Sequence, residues 1–171
     1  MKHLFLTVLF SAVITIGSLS QPVWVTQNPV PQCNSLNDVQ FIGASTGYAA
    51  GNYGTILKTT NGGLNWGSQV STTIENLKSI SFLNANTGFI TGGFNTWLVL
   101  KTTNGGVTWA QSIINSGGSP YGIHFIDVNT GFVCGSVGVL MQTTNGGANW
   151  DMLSVGGIVN LYGICFSSAL T

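Results

Sequence analysis

Few residues of this 171-residue chain could carry out chemistry. The four carboxylates, the side chains that could act in pairs, are Asp38, Glu75, Asp127 and Asp151. Hydrolysis of a glycosidic bond needs two carboxyl groups about 5 to 9.5 Å apart on either side of the sugar. Bidentate recognition of a substrate carboxylate needs arginine, and all four basic residues of the chain are lysines. This set of side chains favours a protein without catalytic residues.

The cysteines and histidines follow no metal-binding pattern. Cys33, Cys134 and Cys165 include no CxxC pair, and His3 and His124 do not complete a zinc site. The odd number of cysteines allows at most one disulfide within the chain. Cys134 and Cys165 lie in apolar segments, where a thiol packs as a small hydrophobe. We therefore predict no metal site and no cofactor.

The composition excludes two broad classes of protein. Charged residues make up 5% of the chain, against roughly 25% in an average globular domain. Nucleic-acid binding depends on neutralising phosphates with Lys and Arg. The chain has four lysines and no arginine, so the sequence does not predict a nucleic-acid-binding protein. Intrinsic disorder is excluded by 44% hydrophobic residues and zero net charge. With 24 glycines the composition is typical of a turn-rich β protein.

The first twenty residues indicate export. A short positive start, Met1–His3, precedes an apolar run, Leu4–Ile16, and a small-x-small site, Ser18–Ser20. The alternative is a membrane anchor, but a run of about 13 apolar residues is shorter than the roughly 20 needed to cross a bilayer. We predict a bacterial signal peptide at residues 1–20 and a mature chain, 21–171, that is secreted or periplasmic and not an integral membrane protein.

Three motifs recur in a fixed order with a period of about 42 residues. The first is Thr-Thr-Asn-Gly-Gly-x-x-Trp, whose tryptophans are Trp66, Trp109 and Trp150. The second is an apolar strand motif that ends in phenylalanine, at Phe41, Phe82, Phe125 and Phe166. The third, Thr-Gly-(Tyr or Phe), lies between them and ends at Tyr48, Phe89 and Phe132. Such self-similarity is the signature of a repeat architecture.

Each repeat divides into four short alternating segments separated by Gly and Asn. In the first unit the predicted strands are Asp38–Ile42, Tyr48–Gly51, Thr55–Thr59 and Trp66–Ser71. Four antiparallel strands in a repeat of 40 to 45 residues describe a β-propeller blade. We predict an all-β propeller segment over residues 21–171. Its units span about residues 36–76, 77–119 and 120–160, and a fourth starts at residue 161.

The two ends of the repeat array are incomplete. Trp24 lies 42 residues before Trp66 and so has the phase of an outer strand. Leu161–Phe166 has the phase of the first strand of a fourth unit. The expectation is three full blades plus partial ones. Because exposed strand edges invite pairing, the segment is either truncated or associates with itself through its open blade edges.

The repeated motif resembles the Asp-box, also called the bacterial neuraminidase repeat, whose form is Ser/Thr-x-Asp-x-Gly-x-x-Trp. Together with the Thr-Gly-(Tyr or Phe) motif it resembles the photosystem II stability and assembly factor family over about Leu36 to Phe166. Each box has asparagine where the family pattern has aspartate, at Asn61, Asn104 and Asn145. The loss of the charge makes an ion-binding role for the boxes less favourable.

The resemblance implies a non-enzymatic exported scaffold that binds a protein partner or assists complex assembly. The alternative is a fragment of a larger exported glycoside hydrolase of the sialidase type, or of a cell-surface adhesin. Sialidases hold their substrate with an arginine cluster, which this chain lacks. Asp38 aligns with Ser79 and Asp127 with Asn84, so the two acids occupy different phases of the repeat and form no predicted pair.

The predicted site residues are structural. The Asp-box set comprises Thr60, Asn61, Gly63, Trp66, Thr103, Asn104, Gly106, Trp109, Thr144, Asn145, Gly147 and Trp150. Trp97 interrupts a region where the other units have short turns, so we expect it on a lengthened loop as a partner contact. Lys58 and Lys101 are expected at a solvated edge, and His124 in the core or lining the channel.

Mass spectrometry tests the predicted export signal. When the chain is expressed with its first twenty residues in a bacterial host, the exported protein should begin near Gln21. An exported fraction that starts at Met1 would refute the signal peptide.

Overall fold

The computed structural model describes residues 33–154 and 157–166. Within these residues twelve strands form three four-stranded antiparallel sheets, and a 3₁₀ turn at Ser136–Gly138 is the one helical piece. No helix in this part of the chain is long and apolar enough to cross a membrane. The predicted signal peptide, residues 1–20, and the predicted outer strand around Trp24 lie outside the described residues.

Each sheet is built from four consecutive strands in chain order. Blade 1 consists of β1 (Leu36–Phe41), β2 (Gly47–Gly51), β3 (Ile56–Thr59) and β4 (Gly67–Gln69). Blade 2 consists of β5 (Leu77–Phe82), β6 (Gly88–Phe94), β7 (Thr96–Thr102) and β8 (Ala110–Ile114). Blade 3 consists of β9 (Pro120–Phe125), β10 (Gly131–Gly135), β11 (Val139–Thr143) and β12 (Asp151–Ser154). The predicted fold class, all-β with three full four-stranded blades, is confirmed.

The outer strand of blade 1 is shorter than predicted. β4 covers Gly67–Gln69, whereas the sequence predicts a strand from Trp66 to Ser71. Trp66 belongs to the preceding turn, where its ring packs edge-on against Phe41 at 5.9 Å between centroids. The same contact joins Phe82 to Trp109 and Phe125 to Trp150. The box tryptophan therefore ties the outer end of each blade to the end of its inner strand.

The Thr-Gly-(Tyr or Phe) motif needs its glycine because a phenylalanine ring lies across the backbone there. Phe125 pairs with Gly131 in the β9–β10 register. A Cβ placed on Gly131 would lie 2.6 Å from the ring of Phe125, a distance that no side chain tolerates. Phe41 and Gly47 have the same relation in blade 1. The glycine of one motif and the phenylalanine of another are thus one steric unit.

Adjacent blades are joined by parallel stacking of aromatic rings. Tyr48 of blade 1 stacks on Phe82 of blade 2 with 3.9 Å between centroids and 14° between planes. Phe89 of blade 2 stacks on Phe125 of blade 3 at 3.4 Å and 4°. Each pair joins the second strand of one blade to the first strand of the next. The second and third motifs of the repeat are therefore the two halves of one interface.

Two hydrophobic cores lie between the blades, one at each interface. The core between blades 1 and 2 contains Tyr48, Ala50, Ile56, Leu77, Ile80, Phe82, Ile90, Leu98, Leu100 and Trp109. The core between blades 2 and 3 contains Phe89, Trp97, Val99, Ile114, Ile123, Phe125, Val133, Val139 and Met141. Burial of this apolar surface is the main favourable term in folding.

The sequence predicts Leu161–Phe166 as the first strand of a fourth unit, and the structure shows no paired strand at these residues. The segment nevertheless lies against blade 3. The Leu161 amide donates to the Gly135 carbonyl at 2.9 Å, and the Phe166 ring packs on Phe132 at 4.8 Å and 37°. Among the described residues no second strand of a fourth blade is present to complete a ladder with it. Ring packing alone does not impose a strand.

Because Phe125 stacks between two blades, we expect its replacement to lower the stability of the fold strongly. Its side chain is 3% exposed, so Phe125→Ala should remove about 3 to 5 kcal/mol from the free energy of unfolding. Phe94→Ala is the matched control, because Phe94 is 68% exposed and should change stability by no more than about 0.5 kcal/mol. Urea unfolding of both variants measures the difference. Equal midpoints would contradict the role given to the stack.

Candidate functional site

Each Asp-box is closed by one threonine and one asparagine. In blade 2 the Gly106 amide donates to Thr102 Oγ1 at 2.9 Å, and the Thr102 hydroxyl donates to Asn104 Oδ1 at 3.0 Å. The Thr108 amide also donates to Asn104 Oδ1, at 3.0 Å. Two consecutive glycines, Gly105 and Gly106, have φ angles of +68° and +85°, which residues other than glycine rarely adopt. The boxes of blades 1 and 3 repeat these bonds.

The structure corrects which threonine of each box is structural. The predicted residues Thr60, Thr103 and Thr144 are exposed. The buried residues that close the turns are their predecessors Thr59, Thr102 and Thr143, each 1% exposed. Alternation along the third strand places the first threonine inward and turns the second outward. The asparagines, the second glycines and the tryptophans of the predicted set lie in the box turns.

The asparagine at the Asp position serves as a hydrogen-bond acceptor. Asn61 Oδ1 accepts the hydroxyl of Thr59 at 3.0 Å and the amide of Asn65 at 2.9 Å. Both bonds need a carbonyl oxygen and neither needs a charge. The described residues contain no cluster of three or more His, Cys, Asp or Glu side chains that could hold a metal ion.

The lysines predicted at a solvated edge hold neighbouring blades together. Lys58 of blade 1 donates from Nζ to the carbonyl of Gly105 in the box of blade 2 at 2.8 Å. Lys101 of blade 2 donates to the carbonyl of Gly146 in the box of blade 3 at 3.0 Å. The Lys58 ammonium also lies 5.3 Å from the centre of the Tyr48 ring, within the range of a cation–π contact. The edge assignment of both lysines is therefore wrong.

The inner strands are tied to one another by side chains that bond to backbone. Asp38 of β1 accepts from the Ile80 amide at 2.8 Å and from the Ser79 hydroxyl at 3.0 Å. Gln40 accepts from the Phe82 amide at 2.7 Å. Ser81, one blade later, accepts from the Phe125 amide at 2.9 Å. Asp38 is thus engaged in joining blades 1 and 2.

His124 takes the position of Gln40 and Ser81 in blade 3. Its ring lies 5.6 Å from that of Phe166. Burial lowers the pKa of His124 below its usual value. The imidazole is therefore more fully neutral at pH 7 than an exposed one. This environment is that of a packing residue at the end of the blade array.

Asp127 has a turn-forming role. Its Oδ1 accepts the amides of Asn129 and Thr130 at 2.7 and 2.8 Å. These two backbone bonds lower the pKa of Asp127. Asn84 accepts the corresponding amides in blade 2, so the turn needs an oxygen acceptor rather than an acid. Asp38 and Asp127 thus serve different structural tasks.

The prediction that Trp97 lies on a lengthened loop as a partner contact is wrong. Trp97 is in β7 and is 0% exposed. Its Nε1 donates to the Gly117 carbonyl at 2.9 Å. A Cβ on Gly135 of blade 3 would lie 2.6 Å from the Trp97 ring, so that glycine makes room for the indole. The extra residues of blade 2 lengthen the β6–β7 hairpin, whose turn exposes Phe94 instead.

The three cysteines are unpaired thiols in the structure. Cys33 and Cys165 are exposed, and Cys134 is buried in β10. Burial raises the pKa of the Cys134 thiol. The thiol therefore stays protonated, as expected for a cysteine that packs as a hydrophobe.

Three surface grooves adjoin β8, the outer strand of blade 2. One, of about 230 Å³, lies between β7–β8 and the box of blade 3 and is lined by Val99, Lys101, Ala110, Gln111, Ser112, Asn145, Gly146, Gly147 and Ala148. A second, of about 620 Å³, lies between the connector 70–75 and Gln111. A third, of about 300 Å³, is lined by Ile113, Ile114, Asn115, Met141, Ala148, Asn149 and Trp150. Residues of the blade 3 box line two of these grooves, but the motif does not predict them, because the grooves form only where two blades meet.

Comparison with known proteins identifies relatives by sequence pattern and by fold. The family described as photosynthesis system II assembly factor YCF48 matches residues 18–164. A solved structure of YCF48 bound to D1 peptide is similar with a TM-score of 0.65 and 27% identity, covering 76% of this chain and 44% of that one. YCF48 from Cyanidioschyzon merolae is similar with a TM-score of 0.66 and 25% identity, covering 78% and 41%. These matches confirm the resemblance that the repeats predict.

A more distant likeness concerns an enzyme. An ancestral GH74 enzyme is similar with a TM-score of 0.57 and 23% identity, covering 69% of this chain and 18% of that one. This likeness shows the fold alone. A comparison with curated proteins finds no match. The chain spans less than half of the length of the two YCF48 structures it resembles.

Paired substitutions test the assignment of the box threonine. Thr102→Val removes the hydroxyl that accepts the Gly106 amide and donates to Asn104, and should cost about 1 to 3 kcal/mol of unfolding free energy. Thr103→Val, at the exposed neighbour, should cost no more than about 0.5 kcal/mol. Thermal unfolding of both variants checks the difference. A larger loss at Thr103 would restore the prediction made from the sequence.

Proposed function

This chain belongs to the photosynthesis system II assembly factor YCF48 family, and on that premise we propose that it is a non-enzymatic scaffold that binds an extended segment of a partner protein. A relative of the same fold is bound to a peptide, the D1 peptide. On this proposal, the partner of this chain is likewise a segment of a polypeptide. The observation that carries the proposal is the set of grooves on both sides of β8.

β8 has the backbone chemistry that an extended peptide requires. The sheet order β5-β6-β7-β8 places it at an edge, paired with β7 on one side alone. An edge strand presents unpaired N–H and C=O groups that can accept another strand. Peptide recognition by strand addition gains affinity from these main-chain bonds and specificity from pockets for alternate side chains.

β8 is better suited to strand addition than the other two outer strands. It has five residues, whereas β4 has three and β12 has four. Grooves for alternate side chains lie beside it, and Gln111 borders two of them. Ile113, which is 50% exposed, borders the third. A partner segment would therefore find both a backbone template and apolar side-chain contacts.

The charge of the grooves limits the chemistry of the partner segment. Lys101 is the single charged residue among those that line the groove of about 230 Å³. Its ammonium is bonded to the Gly146 carbonyl, which fixes it at the groove wall. A neutral or acidic side chain of the partner fits this groove. Glu75 lines the groove of about 620 Å³, so a neutral or basic side chain fits there.

The described carboxylates support a non-enzymatic role. Asp38 is bonded to blade 2, and Asp127 is bonded to its own turn. Neither of these carboxyls lines one of the three grooves, and Glu75, which lines the groove of about 620 Å³, has no second carboxyl beside it in that lining. We also propose that the protein acts outside the cytoplasm, which rests on the apolar run and small-x-small site of residues 1–20.

Titration with the D1 peptide tests the binding site. The chain should bind this peptide, and Gln111→Arg or Ile113→Arg should raise the dissociation constant at least about tenfold, because a long cation then fills a groove beside β8. Val107→Arg is the matched control, since Val107 is 74% exposed and lines none of the three grooves.

Three results would contradict the proposal. If all the variants bind the peptide with equal affinity, the binding site does not lie at β8. If the chain binds a scrambled D1 peptide with equal affinity, the binding is not specific for the sequence of the peptide. Hydrolysis of β-glucans or sialosides by the chain would overturn its non-enzymatic part.

A further inference from the structure

The outer strands of blades 1 and 2 carry side chains of different length at one equivalent position. Gln69 of β4 lies opposite Ile56 in the register of blade 1. Ser112 of β8 lies opposite Val99 in the register of blade 2. In both blades the third-strand residue of the pair lies two positions before the lysine that bonds to the box of the next blade. Gln69 and Ser112 are therefore equivalent, with a long carboxamide side chain in blade 1 and a short hydroxyl in blade 2.

The Gln69 side chain lies against the box of blade 2. A Cβ placed on Gly106 would lie 3.0 Å from Gln69 Oε1. At the box of blade 3, the nearest atoms to a Cβ on Gly147 belong to Trp150 and Phe125 of the same blade, at 3.6 to 4.0 Å. Among the described residues, no side chain of β8 comes as close to Gly147 as Gln69 comes to Gly106. Because Gly147 lines the groove of about 230 Å³, the space that a glutamine fills at one junction is open at the next.

A backbone acceptor in the lining of the same groove also differs between the two junctions. In the box of blade 2, the Gly105 carbonyl accepts the Tyr48 hydroxyl at 2.9 Å in addition to a lysine ammonium. In the box of blade 3, the Gly146 carbonyl accepts Lys101 Nζ at 3.0 Å. Phe89 takes the place of Tyr48 at this junction and has no hydroxyl to donate. Because a carbonyl oxygen has two lone pairs, the Gly146 carbonyl can accept one more hydrogen bond.

We propose that the groove of about 230 Å³ binds a glutamine side chain of the partner segment, with its carboxamide over Gly147 as that of Gln69 lies over Gly106. A carboxamide carries both groups that the lining can use. Its N–H donates to the Gly146 carbonyl, and its oxygen accepts from Lys101 Nζ, since an ammonium has three donors. A carboxylate offers the second of these bonds alone, and an alkyl chain offers neither. Because the glutamine belongs to the segment that adds beside β8, this assignment rests on the proposed function.

Short peptides that differ at one position test the glutamine site by nuclear magnetic resonance. The probes are Ser-Thr-Ser-X-Ser-Thr-Ser peptides in which X is Gln, Glu, Leu or Ala, added to the full chain labelled with nitrogen-15. The glutamine peptide should shift the amide resonance of Gly147 and leave that of Gly106 unchanged. Its dissociation constant should be at least about fivefold lower than that of each other peptide, the effect expected of one additional hydrogen bond.

Filling the groove from within should abolish the preference for glutamine. Ser112→Gln places on β8 the side chain that Gln69 places on β4, so this variant should bind the four peptides with equal affinity. Ser68→Gln is the matched control. It makes the same replacement at an exposed site of β4 that lines none of the three grooves, and it should keep the preference. Far-ultraviolet circular dichroism shows whether both variants are folded.

Two further variants exchange the features of the two junctions. Gln69→Ser removes the side chain that lies against the box of blade 2, so the glutamine peptide should then shift the amide resonance of Gly106 as well. Phe89→Tyr supplies the hydroxyl that Gly146 lacks, so the glutamine peptide should lose its advantage over the glutamate peptide and keep it over the alanine peptide. Tyr48 shows that a tyrosine is accommodated at the equivalent ring stack.

The glutamine site is overturned if the alanine, leucine or glutamate peptide binds the unchanged chain as tightly as the glutamine peptide. It is equally overturned if the glutamine peptide leaves Gly147 unshifted, if Ser112→Gln keeps the preference, or if Gln69→Ser leaves Gly106 unshifted.

The same titrations separate this site from the proposed function. If the D1 peptide binds and Ile113→Arg weakens it, but no preference for glutamine is found, peptide binding at β8 stands and the glutamine site fails. If the D1 peptide does not bind while the preference for glutamine is present, the glutamine site stands and the D1 peptide is not a partner of this chain.

Discussion

The stacking of one phenylalanine per blade on an aromatic ring of the preceding blade is the interaction on which the rest of the structure depends. Phe125 shows why, since it contacts three partners at once: Phe89 face to face, Trp150 edge to face, and the backbone of Gly131. These contacts connect adjacent blades, the outer turn of the same blade and the neighbouring strand. The spacing of the three sequence motifs is constant because each motif supplies one side of this ring.

Polar interactions then set the orientation of each blade on the next. A lysine reaches from the third strand of one blade to a carbonyl in the box of the following blade, and an inner-strand side chain bonds to the following inner strand. The box carbonyl is available because the box threonine and asparagine satisfy the turn's other groups internally. A neutral asparagine suffices for that task, which is consistent with a chain of so few charges. In this protein the Asp-box serves the packing of one blade on the next.

The same architecture leaves a strand edge that is open to a partner. The outer strand β8 offers an unpaired edge between grooves, which suits an extended segment of another protein. This surface supports the assembly role proposed from the family.

By itself the sequence determined the period, the four strands of each blade, the box turns and the family, because those features depend on residues close together in the chain. The tertiary structure alone decided what depends on a neighbouring blade. It buried Trp97 against Gly135. It also placed Lys58 and Lys101, which were expected at a solvated edge, where each donates a hydrogen bond to the next blade. It left Leu161–Phe166 without a paired strand although its residues keep the strand pattern. A strand needs a hydrogen-bonding partner and a buried side chain needs a covering surface, and no local pattern of residues shows whether another part of the fold supplies them.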